Sequence, residues 1–94
     1  MGFPLKDEDI DKALASVAYW QRDGQNIVRE FKFDGFPDSI NFVNRVADLA
    51  ERSNHHPDIT IKFNRVRLAL SSHDSGGVTQ RDIRLATAIN QLKA

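Results

Sequence analysis

The chain has 94 residues, no cysteine, and 13 basic against 13 acidic side chains, for a formal net charge of zero. A balanced charge argues against a nucleic-acid binder, which carries a basic excess or stripe; the missing thiols exclude disulfides and a thiolate zinc site. No apolar run approaches the roughly 20 residues that cross a bilayer, so one domain over residues 1–94 is expected, small enough to gain burial by self-association.

The opening Met1-Gly2-Phe3-Pro4-Leu5-Lys6-Asp7 turns acidic at once and lacks the basic-then-apolar layout of a signal peptide, which predicts a soluble cytoplasmic protein with no membrane partner. Asp7 is placed to cap a first helix over Glu8 to Ser16, with Ile10, Leu14 and Val17 as its apolar stripe. Tyr19-Trp20-Gln21-Arg22 and Asn26 to Phe33 then flank Asp23-Gly24, a tight-turn pair that signals a hairpin. In the second run Ile27, Arg29, Phe31 and Phe33 share one parity, and Val28, Glu30 and Lys32 the other, as in a sheet with one face on the core.

Asp34-Gly35-Phe36-Pro37 breaks the strand, and Pro37 suits a helix first turn. Ile40, Val43, Val46 or Ala47, and Ala50, widened by Phe42 and Leu49, predict the longest helix over Asp38 to Ser53. Asn54 tolerates the left-handed conformation that ends helices, so His55 emerges just past the C-terminus. Beyond Pro57, Ile59, Ile61 and Phe63 alternate with polar neighbours, as do Val66, Leu68 and Leu70; the intervening Asn64-Arg65 predicts a second hairpin. Gly76-Gly77 loosens the chain, and Thr79-x-x-Asp82 has the spacing of a capping box before a last helix over Gln80 to Leu92, burying Ile83, Ala86, Ile89 and Leu92. The fold class is therefore α+β: a four-stranded antiparallel sheet of two hairpins with three helices on one face, in the order αββαββα.

All three histidines lie between Glu51 and Asp82, two on one connection and one on the next. Adjacent imidazoles in extended chain point to opposite sides and the helical spacing of paired ligands is absent, so no metal is expected. Bland roles are open to each residue: His55 and His56 against helix-end carbonyls, Asp82 as partner of Thr79 in the cap, Asp74 and Ser75 as turn residues, Trp20 as core with a partner for its N–H, and Arg81 as a solvated charge. Against these stands what imidazole does near neutrality. Two or three around one pocket can donate and accept protons on a single substrate, which suits the addition or elimination of water.

Glu51-x-x-x-His55-His56-Pro57, then Phe63-Asn64-x-Val66, Ser72-His73, Gly77, Thr79 and Asp82 closely resemble the pterin-4a-carbinolamine dehydratases. Trp20, the Phe33 to Phe36 segment and Arg45-Val46-Ala47 extend the resemblance over most of the chain. It implies the same fold, a homodimer or homotetramer, no cofactor, and dehydration of 4a-hydroxytetrahydrobiopterin to quinonoid dihydropterin and water in tetrahydrobiopterin regeneration, downstream of aromatic amino acid hydroxylases. By motif position His55, His56 and His73 are the catalytic histidines. The pterin substrate is expected along His55, His56, Pro57, Ser72, His73, Asp74 and Ser75, with Glu51, Trp20, Arg81 and Asp82 in support. Phe63 stands where the family often has Tyr, Ser72 where Thr is usual, and Ile59 where an aromatic is common; these departures bear on substrate preference. The resemblance also implies rival roles: a non-catalytic interaction module that stabilises transcription-factor dimers, or an assembly factor on the same fold. Intact histidines favour the enzyme.

Overall fold

In a computed structural model describing residues 4–93, α1 (Asp7–Leu14) is followed by β1 (Gln21–Asp23), β2 (Asn26–Lys32), α2 (Phe36–Ser53), β3 (Asp58–Lys62), β4 (Arg65–Leu70) and α3 (Gln80–Lys93). Met1–Phe3, where the chain was read for a leader, lie outside the described residues. The strands pair antiparallel in the order β1-β2-β4-β3, so β2 and β4 join the two hairpins and β3 is left at an edge. Among the described residues no helix is long and apolar enough to cross a membrane.

Pleating sends one parity of each central strand inward. Ile27 and Phe31 of β2 and Val66, Leu68 and Leu70 of β4 are buried there, in register as Ile27 opposite Leu70 and Phe31 opposite Val66. The helices close over them with Ile10 of α1, Phe42, Val46 and Ala50 of α2, and Ile83, Leu85, Ala86 and Ile89 of α3. The Phe42 ring lies 4.6 Å from Phe31 and 5.2 Å from Phe33, centroid to centroid, and ties α2 to the sheet. On α2 the fully buried line runs Ser39, Phe42, Val46, Ala50, so Ile40, Val43 and Leu49 flank it half-buried and Ala47 faces solvent.

Three local expectations are corrected. Lys6, not Asp7, precedes α1 without a side-chain cap; Asp7 is helical and, with Glu8 and Asp9, complements the positive end of the helix dipole. The first hairpin turns at Gly24-Gln25, with Asp23 opposite Asn26, and positive φ falls on Gly24 alone. That puts the glycine at the first central position, the pattern of a II′ turn, rather than at the second as Asp-Gly would have it. The second hairpin turns at Phe63-Asn64, with Lys62 opposite Arg65. Asn64 is held elsewhere: its amide donates to the Phe33 carbonyl at 3.1 Å, and its own carbonyl accepts from the Phe33 N–H at 2.8 Å. Phe63 takes the left-handed conformation in its place, φ +51°, an outlier for a bulky residue, and is 67% exposed as a residue.

Candidate active site

Two chain features deliver the first histidine pair. At the end of α2, Asn54 is left-handed (φ 49°, ψ 42°), its N–H reaches the Glu51 carbonyl at 3.2 Å, and the His55 N–H reaches Ala50 at 3.1 Å. These are the two bonds of a Schellman motif, which satisfies the last carbonyls and turns the chain sharply off the helix axis. His55 is thus swung towards α3, and Pro57 sends the chain on into β3.

At the start of α3, Asp82 is fully buried. One of its oxygens, Oδ2, accepts the Thr79 N–H at 2.9 Å and the Ser72 hydroxyl at 2.9 Å. The other, Oδ1, lies 2.5 Å from Nε2 of His55. Half of the capping box is therefore realised, while the Thr79 hydroxyl accepts from the Arg81 N–H at 3.2 Å and meets Ser72 Oγ at 2.8 Å. The bland and the functional readings of Asp82 hold together: one carboxylate caps α3 and grips His55. A buried carboxylate needs such a full set of donors, since an unpaired charge there is strongly destabilising. With a carboxylate as its partner, Nε2 keeps a proton, and Nδ1 is the position at which the ring can gain or lose one.

Ser72 opens the second histidine-bearing connection. It is paired with Gly77 through N–H to carbonyl bonds of 2.9 and 3.3 Å, pinching off a loop whose 3-10 turn is His73–Ser75 and whose return needs Gly76 at φ +81°. Asp82 thereby joins the two connections through Ser72 and His55. His73 itself sits exposed at the head of the turn, with no side-chain hydrogen bond among the described residues. Asp74 receives Nη2 of Arg81 at 2.6 Å, and that hydrogen bond holds its carboxyl below the usual carboxylate range. The Nε of Arg81 is buried without a partner. His56 Nε2 lies 2.6 Å from Oε2 of Glu51; both are exposed, so the pair orients the ring more than it stabilises the fold. Pro57 and Ser75 are half-buried beside these groups in sequence.

Trp20 lies outside this network. It is buried in the core, and its indole N–H donates to Oδ1 of Asn90 at 2.8 Å, eight residues beyond Asp82 on α3 and so about 12 Å further along the helix axis. The same oxygen accepts Nη1 of Arg29 at 2.5 Å, and the Arg29 guanidinium rests 4.5 Å from the Tyr19 ring centroid and 4.0 Å from that of Phe31. Burial lowers the pKa of Arg29 from its usual value. Beside His55 opens a cavity of about 260 Å³ lined by Ser53, His55, Arg81, Arg84, Leu85 and Ala88. Of these, the sequence motifs pointed only to His55 and Arg81. Ser53 comes from the end of α2, and residues 81, 84, 85 and 88 share one face of α3, a spacing that by itself reads as solvated surface. Among the described residues no three His, Cys, Asp or Glu are grouped as a metal ion would require.

Fold and site together define an α+β protein with a histidine–carboxylate centre set where a helix end, a loop and a second helix start meet. Comparison with known proteins narrows this. Residues 3–92 match the family model for pterin 4 alpha carbinolamine dehydratase. Proteins named provisionally as pterin-4-alpha-carbinolamine dehydratases are similar over nearly their whole length. One from Thermomicrobium roseum is 48% identical, covering 94% of this chain and 95% of that protein. One from Gloeobacter violaceus is 51% identical, covering 90% and 97%. The crystal structure of a transcriptional coactivator/pterin dehydratase from Brucella melitensis superposes with a TM-score of 0.92 at 32% identity, covering 97% of this chain and 99% of that one. A pterin dehydratase-like RuBisCO assembly factor of the alpha-carboxysome shares the fold, with a TM-score of 0.63 at 20% identity over 78% of this chain and 84% of that one. The chain belongs to the pterin 4 alpha carbinolamine dehydratase family.

Proposed function

We propose that this chain dehydrates a pterin-4a-carbinolamine, 4a-hydroxytetrahydrobiopterin, to the quinonoid dihydropterin and water. The observation that carries the reading is the buried Asp82 carboxylate, which bonds His55 from one connection and Ser72, next to His73, from the other. In the reaction His55, charged, gives a proton to the 4a-hydroxyl as the C4a–O bond breaks, and water departs. His73, neutral, takes the N5 proton, and the electrons of the N5–H bond close the C4a=N5 double bond. Atoms and charge balance with no redox partner. Asp82 holds the His55 tautomer, and His56, braced by Glu51, positions the ring system. Pro57, Ser72, Asp74 and Ser75 complete the substrate surface, with Arg81 steadying Asp74.

The setting is the cytoplasm, in tetrahydrobiopterin regeneration behind an aromatic amino acid hydroxylase. Self-association uses the free edge of β3, where Ile59 is 38% exposed beside the exposed Phe63 ring. An edge strand with apolar side chains is a template for pairing with a second copy. A binding role, in keeping with the coactivator description of the Brucella protein, draws on that same edge and leaves the histidines idle. The two readings separate by rate. Purified protein is expected to accelerate carbinolamine dehydration, and His55→Ala and His73→Ala each to slow it by about 10²–10⁴-fold, the usual worth of one general acid or base. Unchanged rates in both variants end the assignment.

A further inference from the structure

The cavity beside His55 differs in chemistry from the histidine surface. Its ligand-facing charges are all cationic: Arg81 and Arg84, one turn apart on α3, with Leu85 and Ala88 continuing the same helix face. Ser53 closes the rim, but its hydroxyl proton is committed to the Leu49 carbonyl at 2.9 Å, so the donors are guanidiniums and imidazole. Arg84 is exposed and has no ion pair among the described residues. Arg81 spends one nitrogen, Nη2, on Asp74. Arg81 also stands in the first turn of α3, where the helix dipole disfavours a cation. Two arginines around a pocket of ligand size, one held against the dipole and the other without an ion pair, make poor sense as scaffold and good sense as a receptor for negative charge.

We infer that this cavity, lined by Arg81, Arg84 and His55, is an anion subsite, and that it extends the substrate range beyond the neutral biopterin skeleton to reduced pterins bearing a phosphate or carboxylate on the C6 side chain, which bind more tightly. The inference rests on the dehydratase reading. If His55 acts at the 4a-hydroxyl, the C6 substituent, joined to C4a through N5, leaves the ring next to the wall that His55 shares with the cavity. The arm then reaches α3 while the bicyclic ring stays on the histidine side. Guanidinium suits this task because it pairs phosphate and carboxylate oxygens two at a time.

The test compares 4a-hydroxytetrahydropterins with a neutral and with a phosphorylated C6 side chain, using the full chain and Arg84→Gln. The phosphorylated substrate is expected to show a KM about tenfold lower at low salt, and Arg84→Gln brings the ratio of the two KM values towards one. Equal KM values in the unmodified protein, or a ratio that Arg84→Gln leaves intact, overturn the inference. Should neither substrate be dehydrated, the dehydratase reading fails. The subsite is then judged by titrating inorganic phosphate and following the amide signals of Ser53, Arg84 and Ala88. Saturable shifts weakened about tenfold in Arg84→Gln support it, and their absence refutes it.

Discussion

Replacing Asp82 by Asn tests the centre most directly, because the two residues share shape and differ in one charge and two protons. Asp82 accepts from three groups, all in a fully buried position. In Asp82→Asn the amide oxygen can keep the Thr79 N–H and the Ser72 hydroxyl, and the amide nitrogen then faces His55. Two N–H groups cannot bond each other, so Nε2 gives up its proton and the ring is held in the opposite tautomer, with Nδ1 protonated. One amide hydrogen bonds Nε2 and the other is left without an acceptor, so weaker neutral hydrogen bonds and that one orphaned donor together cost about 1–2 kcal/mol. For a domain of this size that is a fall in Tm of roughly 5–15 °C. The dehydration rate suffers more, by about 10²–10⁴-fold, because the ring can no longer cycle its proton at Nδ1. Asp82→Ala strands three donors in the interior and costs about 3–5 kcal/mol. The assay pairs thermal unfolding with dehydration kinetics and with nitrogen NMR of the imidazoles. A folded Asp82→Asn protein with unchanged turnover and an unchanged His55 tautomer would refute the reasoning.

Two further outcomes probe groups outside that centre. Asn90→Ala removes the acceptor shared by Trp20 and Arg29 and is expected to cost about 2–4 kcal/mol, read as a lower Tm; dehydration at temperatures where the variant is folded stays unchanged, and a loss of turnover there would place Trp20 in the site after all. Asp74→Asn tests the bond to Arg81 through pH: a carboxyl held below its ordinary value of 3.8 adds stability that is present above that pH and lost as pH falls through the lower folded value. Acid unfolding curves of the parent and Asp74→Asn therefore diverge above about pH 4 and converge in stronger acid.

Much of the fold was readable because burial imposes periodicity. The inward parity of β2 and β4 and the buried face of α3 follow directly from it, and Asn54 ends α2 as its backbone tolerance suggests. The hairpin turns slipped by one residue each, because a two-residue turn is chosen by whichever residue takes positive φ, and a contact far along the chain decides that. Asn64 looked like the turn residue, yet it is engaged with Phe33, so Phe63 carries the strained angle. In the site, the spacing of Thr79 and Asp82 announced a cap, but nothing local tells that the second carboxylate oxygen serves a histidine 27 positions earlier. The partner of Trp20 is 70 positions away and equally silent in sequence. The cavity wall on α3 was hidden for another reason: arginines at helical spacing look like a wet surface until a neighbouring segment walls them in.

Because one carboxylate both starts α3 and holds an imidazole, on the proposed dehydratase reading selection for folding and selection for turnover act on the same side chain. A descendant that had abandoned chemistry for binding would still need Asp82 to begin its last helix, yet would be free to lose His55 and His73. Across relatives, then, retention of the acid marks a chain that folds this way, and only the imidazoles mark one that still works on a substrate.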